Sequence, residues 1–235
     1  IEKKVKNINA YLIDATNIFL ERRRKPISNI PDMLRGSTFT DDGNLILTKE
    51  EKNNLIELYP NSKKFINQLV GSAEFIKGTE RFCLLIDVED LEEAEAIPMI
   101  KKRLDLVRDF RLKSKAQSTV LYAQKPYLYK QYQHRNADGI IVPRVSSERR
   151  PYIPCGFIEN TDVISDSAQA IYKAEPWVFG IISSHFHMVW LLAVGGKLES
   201  RIRYSKDLCY NTFPFPEINQ KQKEQISLHV FEVLE

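Results

Sequence analysis

Phe82–Val88 (FCLLIDV) is a near-continuous apolar run of strand length, and a strand with no polar side must be covered on both faces. That requirement points to a layered fold with a buried, central strand. Covering elements are legible nearby. Thr48-Lys49-Glu50-Glu51 reads as a capping box, and Leu55, Ile56 and Leu58 follow at helical spacing before Pro60. Asn61–Leu69 is expected to form a second helix, with Phe65, Ile66 and Leu69 on one side. Leu91–Lys115 is the longest helical reading, interrupted at Pro98; Ile100, Leu104, Val107, Phe110 and Leu112 approximate a 3.6-residue stripe. Ahead of these helices, Ala10–Ile13 and Ile18–Leu20 favour strand, a basic cluster spans Glu21–Lys25, and Pro26–Gly43 is rich in turn residues.

Beyond Leu121 the texture changes to short strand-like segments at Ile140–Val142, Tyr152–Ile158, Val178–Ile182, Met188–Val194 and Ile202–Tyr204. Glu217–Leu234 resumes a helical period through Ile218, Ile226, Val230 and Val233. The expected fold class is α+β, a mixed or antiparallel sheet with flanking helices and a C-terminal helix that leads onward.

A chain of 235 residues buries roughly 70–75% of its unfolded surface and needs no disulfide to hold a core. Cys83, Cys155 and Cys209 are widely spaced and form no CxxC pair, which fits a reducing, cytoplasmic compartment. No apolar run approaches the ~20 residues of a membrane span, so no membrane partner is expected. The chain starts at Ile1 without a Met or a signal-peptide core, and reads as a piece of a longer polypeptide.

Enzyme signatures are missing: the sequence contains no GxxxxGK[ST], GxGxxG, HExxH or GxSxG. Gly195-Gly196 reads as a hairpin turn. His185 and His187 would share a strand face, yet no third ligand follows at short spacing. They read as hydrogen-bonding groups beside Ser183-Ser184 rather than as a metal site. Asp87 and Asp90 read as polar residues ending a buried strand; a nuclease using them would need Mg²⁺. No catalytic and no metal-binding residues are therefore expected in this chain.

The charge is informative through its placement. Net charge is +3, whereas Lys101–Lys115 alone carries seven Lys/Arg and two Asp, a net of +5. A helix face so charged is commonly just solvated, and it could also track a phosphate backbone. Val142–Tyr152 sets Arg144, Ser146, Ser147, Arg149 and Arg150 between two prolines, where no regular helix forms and little is apolar. Arginine forks, serine hydroxyls and loop amides are the groups that hold phosphates and guanine edges; a solvated loop with Glu148 pairing one arginine is the alternative. In Arg201-Ile202-Arg203-Tyr204-Ser205-Lys206, a strand would aim Arg201 and Arg203 to one face and Ile202 and Tyr204 to the other. Pairing of those arginines with Glu199 or Asp207 is the alternative there.

Taken in order, YLIDA (Tyr11–Ala15), ERRRKPISNIPDMLRGS (Glu21–Ser37), GNLILT (Gly43–Thr48), VPRVSSERRPYIP (Val142–Pro154), SSHFHMVWL (Ser183–Leu191), GGKLESRIRYS (Gly195–Ser205) and YNTFPFPE (Tyr210–Glu217) resemble the target-recognition region of MmeI-like (type IIL/IIG) restriction–modification DNA adenine methyltransferases. FPFPEINQKQKEQI (Phe213–Ile226) is similar to the start of the spacer helix in type I specificity subunits. The resemblance implies a DNA target-recognition domain over 1–216, with a helix-rich insertion at about 48–116, and the start of a helical spacer over 217–235. It implies double-stranded DNA and a methyltransferase domain of a parent chain as partners. S-adenosylmethionine, and Mg²⁺ for any nuclease domain, are the parent's implied cofactors. The Asn/Asp-Pro-Pro-Tyr/Phe motif and Gly-rich cofactor loop of such methyltransferases do not occur in this sequence, so the fragment itself is expected to be inert. The DNA-binding candidates are Arg149, Arg150, Arg201 and Arg203 for guanine or phosphate, and Arg144, Ser146, Ser147, Ser183, Ser184, His185 and Ser205 for positioning. A structural domain of the same enzyme without base contacts is the competing reading.

Overall fold

The computed structural model describes Lys4, Lys6–Ile8, Asp14 and residues 19–235. The strand expected at Ala10–Ile13, and Ile18 of that at Ile18–Leu20, lie outside the described residues, while Phe19 and Leu20 are not in a strand. In chain order the elements are β1 (Met33–Arg35), β2 (Ile46–Leu47), α1 (Lys49–Leu58), β3 (Ile66–Val70), α2 (Ser72–Lys77), β4 (Phe82–Leu84), α3 (Leu91–Glu95), α4 (Pro98–Leu112), α5 (Gln117–Leu121), β5 (Gly139–Pro143), β6 (Val145–Ser146), β7 (Gly156–Ile158), β8 (Val163–Ile164), β9 (Ala168–Tyr172), α6 (Pro176–Ile182), α7 (His185–Val194), β10 (Gly196–Leu198), β11 (Arg201–Arg203) and α8 (Gln220–Leu234). They form an α+β fold with three small sheets, ordered β1-β9-β5-β7, β10-β11-β6 and β2-β4-β3-β8.

The first sheet is the scaffold. Strand β9 is buried at every residue and pairs antiparallel with β1 on one edge and β5 on the other. Alternation divides these strands between two cores. Ile140, Val142 and Ile171 pack with Trp177, Val178, Ile182, Met188 and Leu191 of α6 and α7, and with Val230 of α8. Ile141, Ala168, Ala170 and Tyr172 pack on the opposite face with Val70, Ile158 and Ile164. At the end of β1 the backbone of Gly36 approaches Ser165 so closely that a Cβ would lie 2.0 Å from the Ser165 carbonyl oxygen.

The helix-rich region has its own core, in which Leu55, Phe65, Cys83, Leu84, Ile100, Leu104 and Val107 are buried together. The capping box at Thr48 is present, with Thr48 Oγ1 accepting from the Glu51 amide and Glu51 accepting from the Thr48 amide. Pro98 does not interrupt a helix; it starts α4, where its missing N–H costs nothing. Arg111 is fully buried in this helix. Its guanidinium donates to the carbonyls of Phe39, Thr40, Tyr122, Lys125 and Leu128 at 2.8–3.2 Å. Arg103 is similarly used, bonding Glu51 and the carbonyls of Asn44 and Ile46.

Several expectations need correction. Asn61–Leu69 is not a helix: a 3₁₀ segment ends at Phe65 and Ile66–Val70 becomes β3, because that segment pairs with β4 and β8. The run at Phe82 is strand only to Leu84, although β4 does lie inside its sheet. Strand β1 interrupts the stretch read as turns. Val178–Ile182 and Met188–Val194 are helices α6 and α7, bent by 56° at Ser183-Ser184. Pro176 at the first position of α6 and the Ser184 cap of α7 set those starts. Gly195-Gly196 is not the hairpin turn; Gly195 ends α7, and the β10–β11 hairpin turns at Glu199-Ser200, with Glu199 at φ +58°. Helix α8 begins at Gln220 behind an Asn219 cap, and Val233 on the expected apolar side is 82% exposed. No single helix among the described residues is long and apolar enough to cross a membrane.

Because one buried guanidinium satisfies five carbonyls, Arg111→Ala is expected to lower unfolding free energy by roughly 3–5 kcal/mol. Urea denaturation checks this. Arg111→Lys should recover only part, since an ammonium carries three donors; a wild-type midpoint for Arg111→Ala would remove this residue from its structural role.

Candidate nucleic-acid interface

The three-stranded ribbon β10-β11-β6 carries most of the sequence-derived candidates. In β11, Arg201 and Arg203 are exposed and Ile202 is buried, with Tyr204 buried just beyond the strand, as the alternation requires. Strand β6 pairs with it, Val145 facing Arg203 and Ser146 facing Ile202. The registers place a basic cleft toward each end of this ribbon, one beside Gly196, Arg203 and Arg144 and the other beside Ser200, Arg201 and Ser147.

One cleft has a volume of about 340 Å³ and is lined by Arg22, Arg35, Arg144, Lys197, Arg203 and Lys206, with Asp207 as its one carboxylate. Its parts converge from across the chain. Arg144 follows β5, and its Nη1 donates to the Asp166 carbonyl at 2.8 Å while its amide donates to the Ser167 carbonyl at 3.1 Å. Arg35 ends β1 and pairs with the Asp166 carboxylate at 2.8 Å. Burial, and then the positive neighbours Arg35 and Arg203, push the Arg144 guanidinium below its ordinary value. Like charges are therefore held close together. Arg203 makes no ion pair among the described residues, whereas Lys206 pairs with Asp207 at 3.0 Å.

Beyond Ser205 the chain makes a single π-helical turn over Lys206–Tyr210, a feature that often marks functional sites. The basic segment near the N-terminus is strapped onto it: the Arg23 amide donates to the Asp207 carbonyl at 3.0 Å and Asn211 Nδ2 to the Arg23 carbonyl at 2.8 Å. That strap brings Arg22 into the cleft. Ser205, the residue before the turn, lines the same cleft.

The second cleft, about 630 Å³, is lined by Ser146, Ser147, Arg149, Arg150 and Arg201 together with Lys77 of α2 and Glu148. Ser147 is used to shape the loop, its Oγ accepting from the Arg149 amide at 3.2 Å. Ser146 Oγ is buried with no hydrogen-bond partner among the described residues. Arg201 pairs with Glu199 at 2.8 Å, so the internal pairing weighed for this residue is present.

Ser183, Ser184 and His185 are not brought to either cleft. Ser183 Oγ donates to the Gly180 carbonyl and Ser184 Oγ accepts the His187 amide, both at the α6–α7 junction. His185 and His187 do not share a face: His185 is exposed and His187 is buried, with its Nε2 2.8 Å from Tyr204 Oη. Asp90 pairs with Lys64 at 2.9 Å. Sequence reasoning missed Arg22, Arg35, Lys197 and Lys206 as a set with Arg144 and Arg203. The clusters at 21–25 and 201–206 were visible, and their convergence was not.

An α+β domain that gathers six cations on one cleft, beside a ribbon with two outward arginines, is built to hold a polyanion. The family is clear from comparison: the chain belongs to the MmeI target recognition domain family, whose model matches residues 14–217. It is 37% identical over 234 residues to DNA methyltransferase A of Bacillus subtilis (strain 168), covering all of this chain and 27% of that protein. The type IIL restriction–modification enzyme MmeI, solved in complex with DNA, matches over 99% of this chain and 31% of its own, with TM-score 0.92 and 42% identity. The type IIG restriction endonuclease BpuSI shares the fold at TM-score 0.53 and 17% identity, over 86% of this chain and 25% of its own. The chain thus spans about a quarter to a third of the relatives it matches.

Burial holds the His187 imidazole at a pKa of about 4, below the ordinary 6.5. Between those values the unfolded chain binds a proton that the folded chain refuses, so stability is full above pH 6.5 and falls on acidification. The loss by pH 4.5 is expected to be on the order of 2 kcal/mol. In urea titrations at pH 7 and 4.5, His187→Gln should lose less than wild type; an equal loss would contradict this assignment.

Proposed function

We infer that this chain is the double-stranded DNA target-recognition part of a larger restriction–modification methyltransferase, cytoplasmic like its substrate. The observation that carries the reading is the convergence of Arg35, Arg144 and Arg203 on one cleft beside an arginine-bearing β-ribbon. Its relative MmeI has been solved with DNA, which supports the same partner for this family member. A two-stranded or wider ribbon fits the major groove, where donor and acceptor patterns distinguish all four base pairs.

On this reading Arg203 and Arg201 approach base edges. Arg144, with Arg35 behind it, lies toward one end of the ribbon. Arg149, Arg150, Ser146 and Ser147 grip phosphates toward the other end of the ribbon, and Ser205 and Lys206 do so beside the π-turn. Ser183, Ser184 and His185 support the scaffold rather than touch DNA. The globular part extends over 1–216 with the helix-rich insertion at about 48–116, and 217–235 starts the spacer. Adenine N6 methylation with S-adenosylmethionine, and any Mg²⁺-dependent cleavage, belong to the rest of the enzyme. The methyltransferase motifs do not occur in this sequence, which supports assigning that chemistry to another part of the parent enzyme. The recognition part would grip the duplex while a catalytic domain holds the extruded adenine.

Duplexes selected from a randomised pool, and a scrambled control, titrated against rising salt test the assignment. Arg203→Ala is expected to weaken the selected duplex by ~1–3 kcal/mol more than the control. Arg149→Ala should weaken both alike and lower the salt slope by about 1. Binding that is absent at low salt would remove DNA as the partner, and equal losses for Arg203→Ala would remove base readout at that position.

A further inference from the structure

We propose that Gln169 and His187 are positioning residues for sequence readout, gripping Tyr204 so that the adjoining Arg203 holds one fixed direction in the cleft. The inference rests on the proposed DNA-reading role of that site.

Tyr204 is 3% exposed and is held at three points. Its amide donates to the Arg144 carbonyl at 2.9 Å, its carbonyl accepts from Gln169 Nε2 at 3.4 Å, and its hydroxyl lies 2.8 Å from His187 Nε2. Gln169 also accepts the Lys206 amide on its Oε1 at 3.2 Å. One buried side-chain amide therefore binds the main chain on both sides of Ser205. Gln169 lies in β9, opposite Arg35 of β1 and Val142 of β5, so its backbone is fixed on both edges. His187 lies in α7 with its ring edge-on to Phe213, the centroids 4.3 Å apart. Sheet and helix thus reach the same tyrosine from different directions. The second histidine of the Ser183–Leu191 segment finds its use here, outside both clefts.

The consequence for recognition follows from how two kinds of contact depend on distance. Attraction of a guanidinium to phosphate falls slowly with separation. A bidentate fork on a base edge needs hydrogen bonds near 2.9 Å and well aligned. Arg203 has no ion pair among the described residues to orient it, so its direction comes from its backbone. Loosening Tyr204 should therefore relax base choice and leave phosphate attraction intact.

The test uses the full 235-residue chain and a randomised duplex pool, with bound sequences read for base preference at each position. Tyr204→Phe removes one hydroxyl and keeps the packed ring; His187→Leu removes the same bond from the other side. Each is expected to reduce preference by roughly three- to tenfold at the position that Arg203→Ala abolishes. Affinity for a random duplex should stay within about twofold, and the salt slope should not move. Preference unchanged in Tyr204→Phe overturns the inference alone, as does a uniform fall at every position together with random-duplex affinity. A wild-type chain that binds no duplex overturns the DNA reading and this inference with it.

Discussion

Strand β9 is the constraint on which the rest depends. All five of its residues are buried, so its amides and carbonyls must find partners in the protein, since an unpaired buried peptide group costs about 1–3 kcal/mol. Strands β1 and β5 supply them along its length. Just before it, the carbonyls of Asp166 and Ser167 take the side chain and amide of Arg144, and the carbonyl of Ala168, its first residue, takes the Gly36 amide. The basic cleft is assembled from the residues that complete this strand's bonding. Arg35, Arg144 and the chain around Lys206 arrive there because the backbone of β9 and the Gln169 side chain require them.

The same logic explains why the positive charge separates into two kinds. Arg103 and Arg111 of α4 are turned inward and consumed by carbonyls, so two of the seven basic residues of Lys101–Lys115 serve the fold. Arg144, Arg201 and Arg203 lie on or beside the ribbon. Arg144 has its guanidinium only partly engaged, Arg201 carries an exposed pair to Glu199, and Arg203 has none among the described residues. Exposed pairs of this kind contribute about 0–1 kcal/mol and are readily exchanged for a phosphate. What sets the cleft apart is that cations from separate segments of the chain converge on it, rather than following one another along a single helix.

How much could be read beforehand follows the same division. The Thr48 capping box and the Arg201/Arg203 alternation are local and were legible, as was the helical C-terminal segment. The helix–strand choice failed at α6 and α7, where apolar runs have no polar face to set a period; Pro176 and Ser184 were the available signals. Strand β9 was invisible because its buried Gln169 breaks an apolar pattern, and Gln169 is there to bond Tyr204 and Lys206. Arg111 continues the stripe of Ile100, Leu104 and Val107 at helical spacing, a position given instead to Phe110 and Leu112. Its burial could have been found from that register. The cleft itself joins residues 22, 35, 144, 197, 203 and 206, and no spacing rule links segments that meet only through the sheet.

The most direct test of the account is a crystal structure of this chain with a duplex selected from a random pool. The ribbon β10-β11-β6 should lie in the major groove, with the Arg203 guanidinium within about 3 Å of a base edge and phosphates of the two strands in the two clefts. A duplex lying across the helix-rich region, with both clefts facing solvent, would contradict it.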